Sequence, residues 1–95
     1  MYTNRSSAEE IWGQQARQAL RNVQTAIEAA GGTLADIVAL RIYMVNYKPE
    51  QADAVVSALR EFFPEDGRPA STWIGVSTLA VSNFLIEIEA TAVLE

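Results

Sequence analysis

The stretch LIEIEA, residues 85–90, carries Glu87 and Glu89 two positions apart in an otherwise apolar run. Side chains alternate from face to face along a strand, so both carboxylates share one face, and Ile86, Ile88 and Ala90 share the other. Either that face is simply wet, or it lines something that needs a carboxylate. The rest of the chain narrows the chemistry. It contains no histidine and no cysteine. Ser-His-Asp hydrolysis, imidazole base chemistry, thiolate nucleophiles, disulfides and histidine- or cysteine-ligated metal sites are thereby excluded. Any catalysis must rest on carboxylates, arginine, lysine, tyrosine, hydroxyls or backbone amides. No metal and no cofactor is expected.

The 95 residues are the size of one domain, 1–95, and 49% of them are hydrophobic, enough to bury a core. Twelve acidic against seven basic residues give a net charge of −5. The basic residues are scattered, with no stripe to track phosphates, so nucleic acid is not an expected partner. No apolar run reaches the roughly 20 residues of a membrane helix. The polar start MYTNRSSAEE lacks the apolar region of a signal peptide. A soluble cytoplasmic protein is the expectation.

The elements that position these residues follow from periodicity. Ser7, Ala8, Glu9 and Glu10 have the form of a capping box. Ala16, Leu20, Val23, Ile27 and Ala30 then recur at steps of three and four, the apolar stripe of a helix, which Gly31 and Gly32 close. Gly13 weakens the first turns, so residues 7–13 are expected to fray. Residues 37–46, IVALRIYMVN, form a strand. Pro49 opens a second helix with Ala52, Val55, Val56, Leu59, Phe62 and Phe63 as its stripe, and Pro64 ends it. Residues 71–79 and LIEIEA are two further strands, joined by a short turn through 80–83 and therefore expected to be antiparallel neighbours.

This order gives an α+β fold, a two-layer sandwich with two helices on one face of a mixed sheet. Val38, Leu40, Ile42, Met44, Ile74, Val76, Ile86 and Ile88 are expected under the helices. Arg41, Tyr43, Trp73, Leu79, Leu85, Glu87 and Glu89 are expected on the other face. That face is too apolar for an isolated monomer. Another copy of the chain is expected to cover it through Tyr43, Trp73 and Leu85.

The run PASTWIGVSTL (69–79) followed by LIEIEA resembles the C-terminal signature of the Rid family, the YjgF-like imine deaminases also called endoribonuclease L-PSP. The helix QQARQALRNVQTAIEAAGGTLADIV and the strand RIYMVNY are similar to its middle section, so the resemblance covers roughly residues 14–95. It implies a chorismate-mutase-like α+β fold, homotrimers, and pockets between subunits. Two departures stand out. Deaminating members place an arginine directly after the Pro-Ala pair to hold the substrate carboxylate. Here that residue is Ser71, and a hydroxyl cannot replace a bidentate guanidinium. Members also carry further N-terminal strands with a pocket aromatic, whereas this chain starts at the first helix, which fits a naturally short member, a mis-assigned start or a fragment.

The resemblance assigns Glu87 to the glutamate that holds the attacking water in imine hydrolysis; the bland alternative is an ion pair with Arg41. Buried pocket lining is expected of Glu87, and a rim position or salt bridge of Glu89. Ser71, Trp73 and Arg68 are the candidate substrate-binding residues. Against those roles stand strand initiation for Ser71, interface packing for Trp73 and solvation for Arg68. Arg17 and Arg21, one helical turn apart, are weighed as an anion site against a solvated face. The expected function is a Rid-like metabolite-binding protein that takes a small carboxylate and lacks efficient 2-aminoacrylate deaminase activity. The alternatives are an active enamine/imine deaminase, a hydrolase of C–N bonds using Glu87, and a non-catalytic interaction module. Nothing in the sequence supports ribonuclease chemistry.

Overall fold

Helix α1 (Asn4–Ala29) leads into strand β1 (Ile37–Val45), helix α2 (Ala52–Phe62), strand β2 (Ala70–Val76) and strand β3 (Ile86–Ala92). These elements come from a computed structural model describing residues 4–95. The capping box expected at Ser7 involves side chains outside the described residues. The helix itself begins at Asn4 and runs unbroken through Gly13.

The end of α1 is set by its glycines. Gly31 takes the left-handed φ of 92°, which a residue without Cβ adopts at no steric cost. The Gly31 amide reaches the Glu28 carbonyl at 3.1 Å and the Gly32 amide the Ile27 carbonyl at 2.9 Å. This pair of bonds is a Schellman cap. Pro49 opens a single 3-10 turn, Pro49–Gln51, that runs straight into α2. Its fixed φ suits a first turn.

Both helices cover one face of the sheet. Trp12, Ala16 and Leu20 of α1, Val55 and Ala58 of α2, and Leu40, Ile42 and Met44 of β1 form one buried cluster with Ile37, Phe63 and Ile86. Each large side chain withdrawn from water there contributes about 1.5–3 kcal/mol. Trp12 and Ala58 extend the two expected stripes. Among the described residues no helix is long and apolar enough to cross a membrane.

The strand order is β2-β1-β3, with β1 parallel to β2 and antiparallel to β3. The expected β2–β3 hairpin is therefore incorrect: β1 lies between them. The cause is the link, which occupies residues 77–85 rather than a tight turn. It needs to span two strand spacings, about 10 Å, well within its reach. It runs past the C-terminal end of β1, where the Val45 amide donates to the Leu85 carbonyl and the Asn46 amide to the Val76 carbonyl.

Two face assignments change as well. In β2, Trp73 is the register partner of Ile42 and Ile74 that of Tyr43. Trp73 thus lies on the helix side, packed against the core, and Ile74 and Val76 lie on the open side. In β1 a bulge between Ile37 and Ala39 leaves Val38 unpaired and 48% exposed, while Ile37 is buried. One extra residue reverses the alternation.

Candidate functional site

The open face of the sheet carries one polar cluster. Arg41 and Glu89 are register partners across β1 and β3. Arg41 Nε donates to Glu89 Oε1 at 3.0 Å, and the Tyr43 hydroxyl donates to the same oxygen at 2.7 Å. The Arg41 terminal nitrogens approach Thr91 Oγ1 at 3.4 Å. The Tyr43 hydrogen bond, then the Arg41 hydrogen bond, lower the Glu89 carboxyl below its ordinary value. Reciprocally, the bond to Glu89 raises both the Arg41 guanidinium and the Tyr43 phenol. Glu89 is thus the salt-bridged acid that was expected, and it satisfies the arginine considered for Glu87.

Glu87 stands apart from this cluster. It pairs in register with Tyr43 and is exposed in the single chain, whereas the burial expected of it is one between subunits. An edge strand with no neighbour on its outer side leaves such a side chain in water. Glu87 also borders a groove of about 520 Å³ between α1 and the end of the 77–85 link, with Asn22, Val23, Val81 and Phe84 among its walls.

A second hollow lies at the opposite edge of the sheet. Ser71, the partner of Leu40, sits on the helix side at the start of β2. With Leu40, Leu59, Phe63, Arg68 and Pro69 it borders a space of about 50 Å³. Arg68 and Ser71 are therefore brought together, and Glu87 is not brought to them. Ser71 aligns with Leu40 and Glu87 with Tyr43. The two sites are about 10 Å apart along β1 and about 10 Å across it, on opposite faces.

Trp73 does not lie on the open face with Tyr43. It meets Tyr47 edge-on, with ring centroids 6.1 Å apart and planes at 85°. Leu85 likewise packs against the core rather than outward. Tyr43 alone of the expected interface set lies on the open face, where Ile74, Val45 and Val76 accompany it by register. Arg17 lies 3.7 Å from Glu61 and Arg21 bonds to Gln18, so the two form no joint anion site.

Gln15 was not legible as a functional residue. Its Oε1 accepts from the Leu85 amide at 2.7 Å and its Nε2 donates to the Asn83 carbonyl at 3.1 Å. One side chain of α1 thereby fixes the approach to β3 and so the position of Glu87. Nothing in a helical glutamine signals a partner 70 positions away. Among the described residues no cluster of three acidic side chains could hold a metal ion.

Known proteins share this architecture. The family pattern described as Endoribonuclease L-PSP matches residues 3–94. A Dermatophagoides farinae protein named 2-iminobutanoate/2-iminopropanoate deaminase is 32% identical over 81 residues, 85% of this chain and 60% of that protein. A solved Rid-family structure of unknown function from Yersinia pestis is 40% identical, with TM-score 0.78 over 83% of this chain and 59% of that one. The YjgF gene product of E. coli is 34% identical, with TM-score 0.76 over 87% of this chain and 65% of that one. The chain spans about three fifths of the length of the first two.

Proposed function

The chain belongs to the endoribonuclease L-PSP family, the Rid or YjgF proteins with a chorismate-mutase-like α+β fold, and from that premise we propose that it binds a small carboxylate-bearing metabolite in pockets between copies of itself and deaminates imines weakly. The observation that carries this reading is Ser71. It stands directly after Pro69 and Ala70, where a guanidinium would grip a carboxylate with two charge-assisted bonds. A hydroxyl offers one neutral donor. The substrate is held loosely, and the water that Glu87 would orient meets a poorly placed carbon.

Two geometric facts favour pockets between chains. Glu87 and Ser71 lie on opposite edges and opposite faces of one sheet, so a site using both draws them from different copies. The open face also presents Ile74, Val45 and Val76 around the Arg41–Glu89 cluster. A homotrimer that covers this face would bury them. A second reading, an active imine deaminase, is favoured by the name of the Dermatophagoides farinae relative.

The experiment is Ser71→Arg assayed for 2-aminoacrylate hydrolysis. A gain over the wild type is expected if Glu87 and the remaining pocket are in place. An unchanged or lower rate removes Ser71 as the reason for weak activity.

A further inference from the structure

The two helices are wider than the sheet they cover. Helices pack about 8–10 Å apart and strands about 4.8 Å apart, so two helices span about four strands. Among the described residues the sheet has three, with β3 at one edge. The shortfall lies under α1. Its stripe Ala19, Val23, Ala26 and Ile27 overhangs the outer side of β3 and forms two mostly apolar hollows with it, of about 520 and 230 Å³. They follow one another along the strand: Ile86 and Ile88 border the first, Ala90 and Ala92 the second.

The backbone of that edge is also unpaired. The Leu85 carbonyl accepts from Val45 and the Val93 amide donates to Asp36, so the odd-numbered residues of β3 turn their backbone groups toward β1. Backbone groups alternate along a strand, and those of Ile86, Ile88 and Ala90 therefore point outward. On the open face of the same strand Arg41 engages Glu89, whereas Glu87 makes no ion pair among the described residues. A second copy of β3 fits this edge poorly. It would bring its own overhanging α1 into the same space, and further acids in a chain of net charge −5.

We propose that the outer edge of β3 takes up an extended peptide as a fourth strand, with apolar side chains under α1 and a lysine or arginine beside Glu87. In this mode main-chain hydrogen bonds supply affinity and alternate side chains supply selectivity. Such a strand gives the outward amides and carbonyls their partners and fills both hollows. It also sets a cation across the ladder from the unengaged acid. The proposal is separate from the metabolite reading and holds whether or not the chain hydrolyses imines.

The test is an NMR titration of the full chain, with amide hydrogen exchange, using the end-capped peptide Thr-Val-Lys-Val-Lys-Val-Thr. Its acidic counterpart carries glutamate in place of lysine. The basic peptide is expected to shift residues 19–27 and 86–92 and to slow exchange at the Ile88 and Ala90 amides. The acidic peptide is expected to bind at least about tenfold more weakly, and Glu87→Lys, on an exposed site, to reverse that preference. N-methylation of the valines and N-methylation of the lysines are expected to differ, because only every second peptide amide points at β3. Loss with methylated valines means an antiparallel strand, and loss with methylated lysines a parallel one. Binding that neither methylation weakens overturns the fourth strand and leaves a groove for apolar side chains alone. Equal binding of both peptides overturns the charge recognition, and no binding of the basic peptide overturns the proposal. Exchange at Ile88 and Ala90 that slows with protein concentration alone puts a second copy on the edge and overturns the choice of occupant.

Discussion

Glu89 Oε1 lies 3.0 Å from Arg41 Nε, directly across the β1–β3 ladder. Both side chains are partly exposed, so the pair adds little to stability, but it determines which of the two acids on this face is engaged. Glu89 is held by Arg41 and Tyr43. Glu87, on the same strand face two residues away, is left for another partner.

The Glu89 carboxyl titrates below the ordinary glutamate value because the Tyr43 and Arg41 hydrogen bonds favour its charged form. The folded-state pKa is depressed, so the stabilisation it brings is present above the ordinary value. It is lost as pH falls through the lowered one. Tyr43→Phe removes the larger cause and is expected to move the Glu89 titration upward in carbon-13 NMR. An unmoved curve would show that the phenol does not hold the carboxylate.

Gln15→Leu keeps the bulk on α1 and strips the Leu85 amide and Asn83 carbonyl of their partner. The Asn83 carbonyl is exposed and the Leu85 amide only partly buried, so water can replace the partner in part and the expected cost is about 0.5–1.5 kcal/mol in urea unfolding. Gln15→Glu keeps the acceptor for Leu85 and is expected to cost less. Wild-type stability of both variants would mean that the link holds its course without the clamp.

Trp73 and Ile74 separate core from interface. Trp73→Ala removes packing on the helix side, including the edge-on contact with Tyr47. For this half-buried ring the expected loss is about 2–3 kcal/mol, less than the about 3–5 kcal/mol of a fully buried one. Ile74→Glu places a charge on the open face beside Tyr43. In sedimentation it is expected to shift the protein toward the monomer, and a wild-type profile would argue against an assembly through that face.

The helices and their buried stripes were legible because Ala16, Leu20, Val55 and Leu59 repeat with helical spacing, and Gly31 and Pro64 mark the ends. The faces of β1 from Leu40 to Met44 were legible because Arg41 alternates with aliphatic neighbours. The face of β2 was not, since Trp73 on one side and Ile74 with Val76 on the other are both apolar. Register with β1, a long-range property, decides between them. Neither the bulge at Val38 nor the detour of residues 77–85 leaves a local turn signature. In the candidate site, the ends of LIEIEA and PAST were readable by residue type. Their separation to opposite edges follows from strand order, which no local pattern encodes.

The most direct test is the rate of 2-aminoacrylate hydrolysis measured beside a relative that bears arginine after its Pro-Ala pair. Losing one charge-assisted contact at a desolvated site costs about 2–4 kcal/mol, so this chain is expected to be roughly 30- to 1,000-fold slower. A rate equal to that of the arginine-bearing relative would contradict the account.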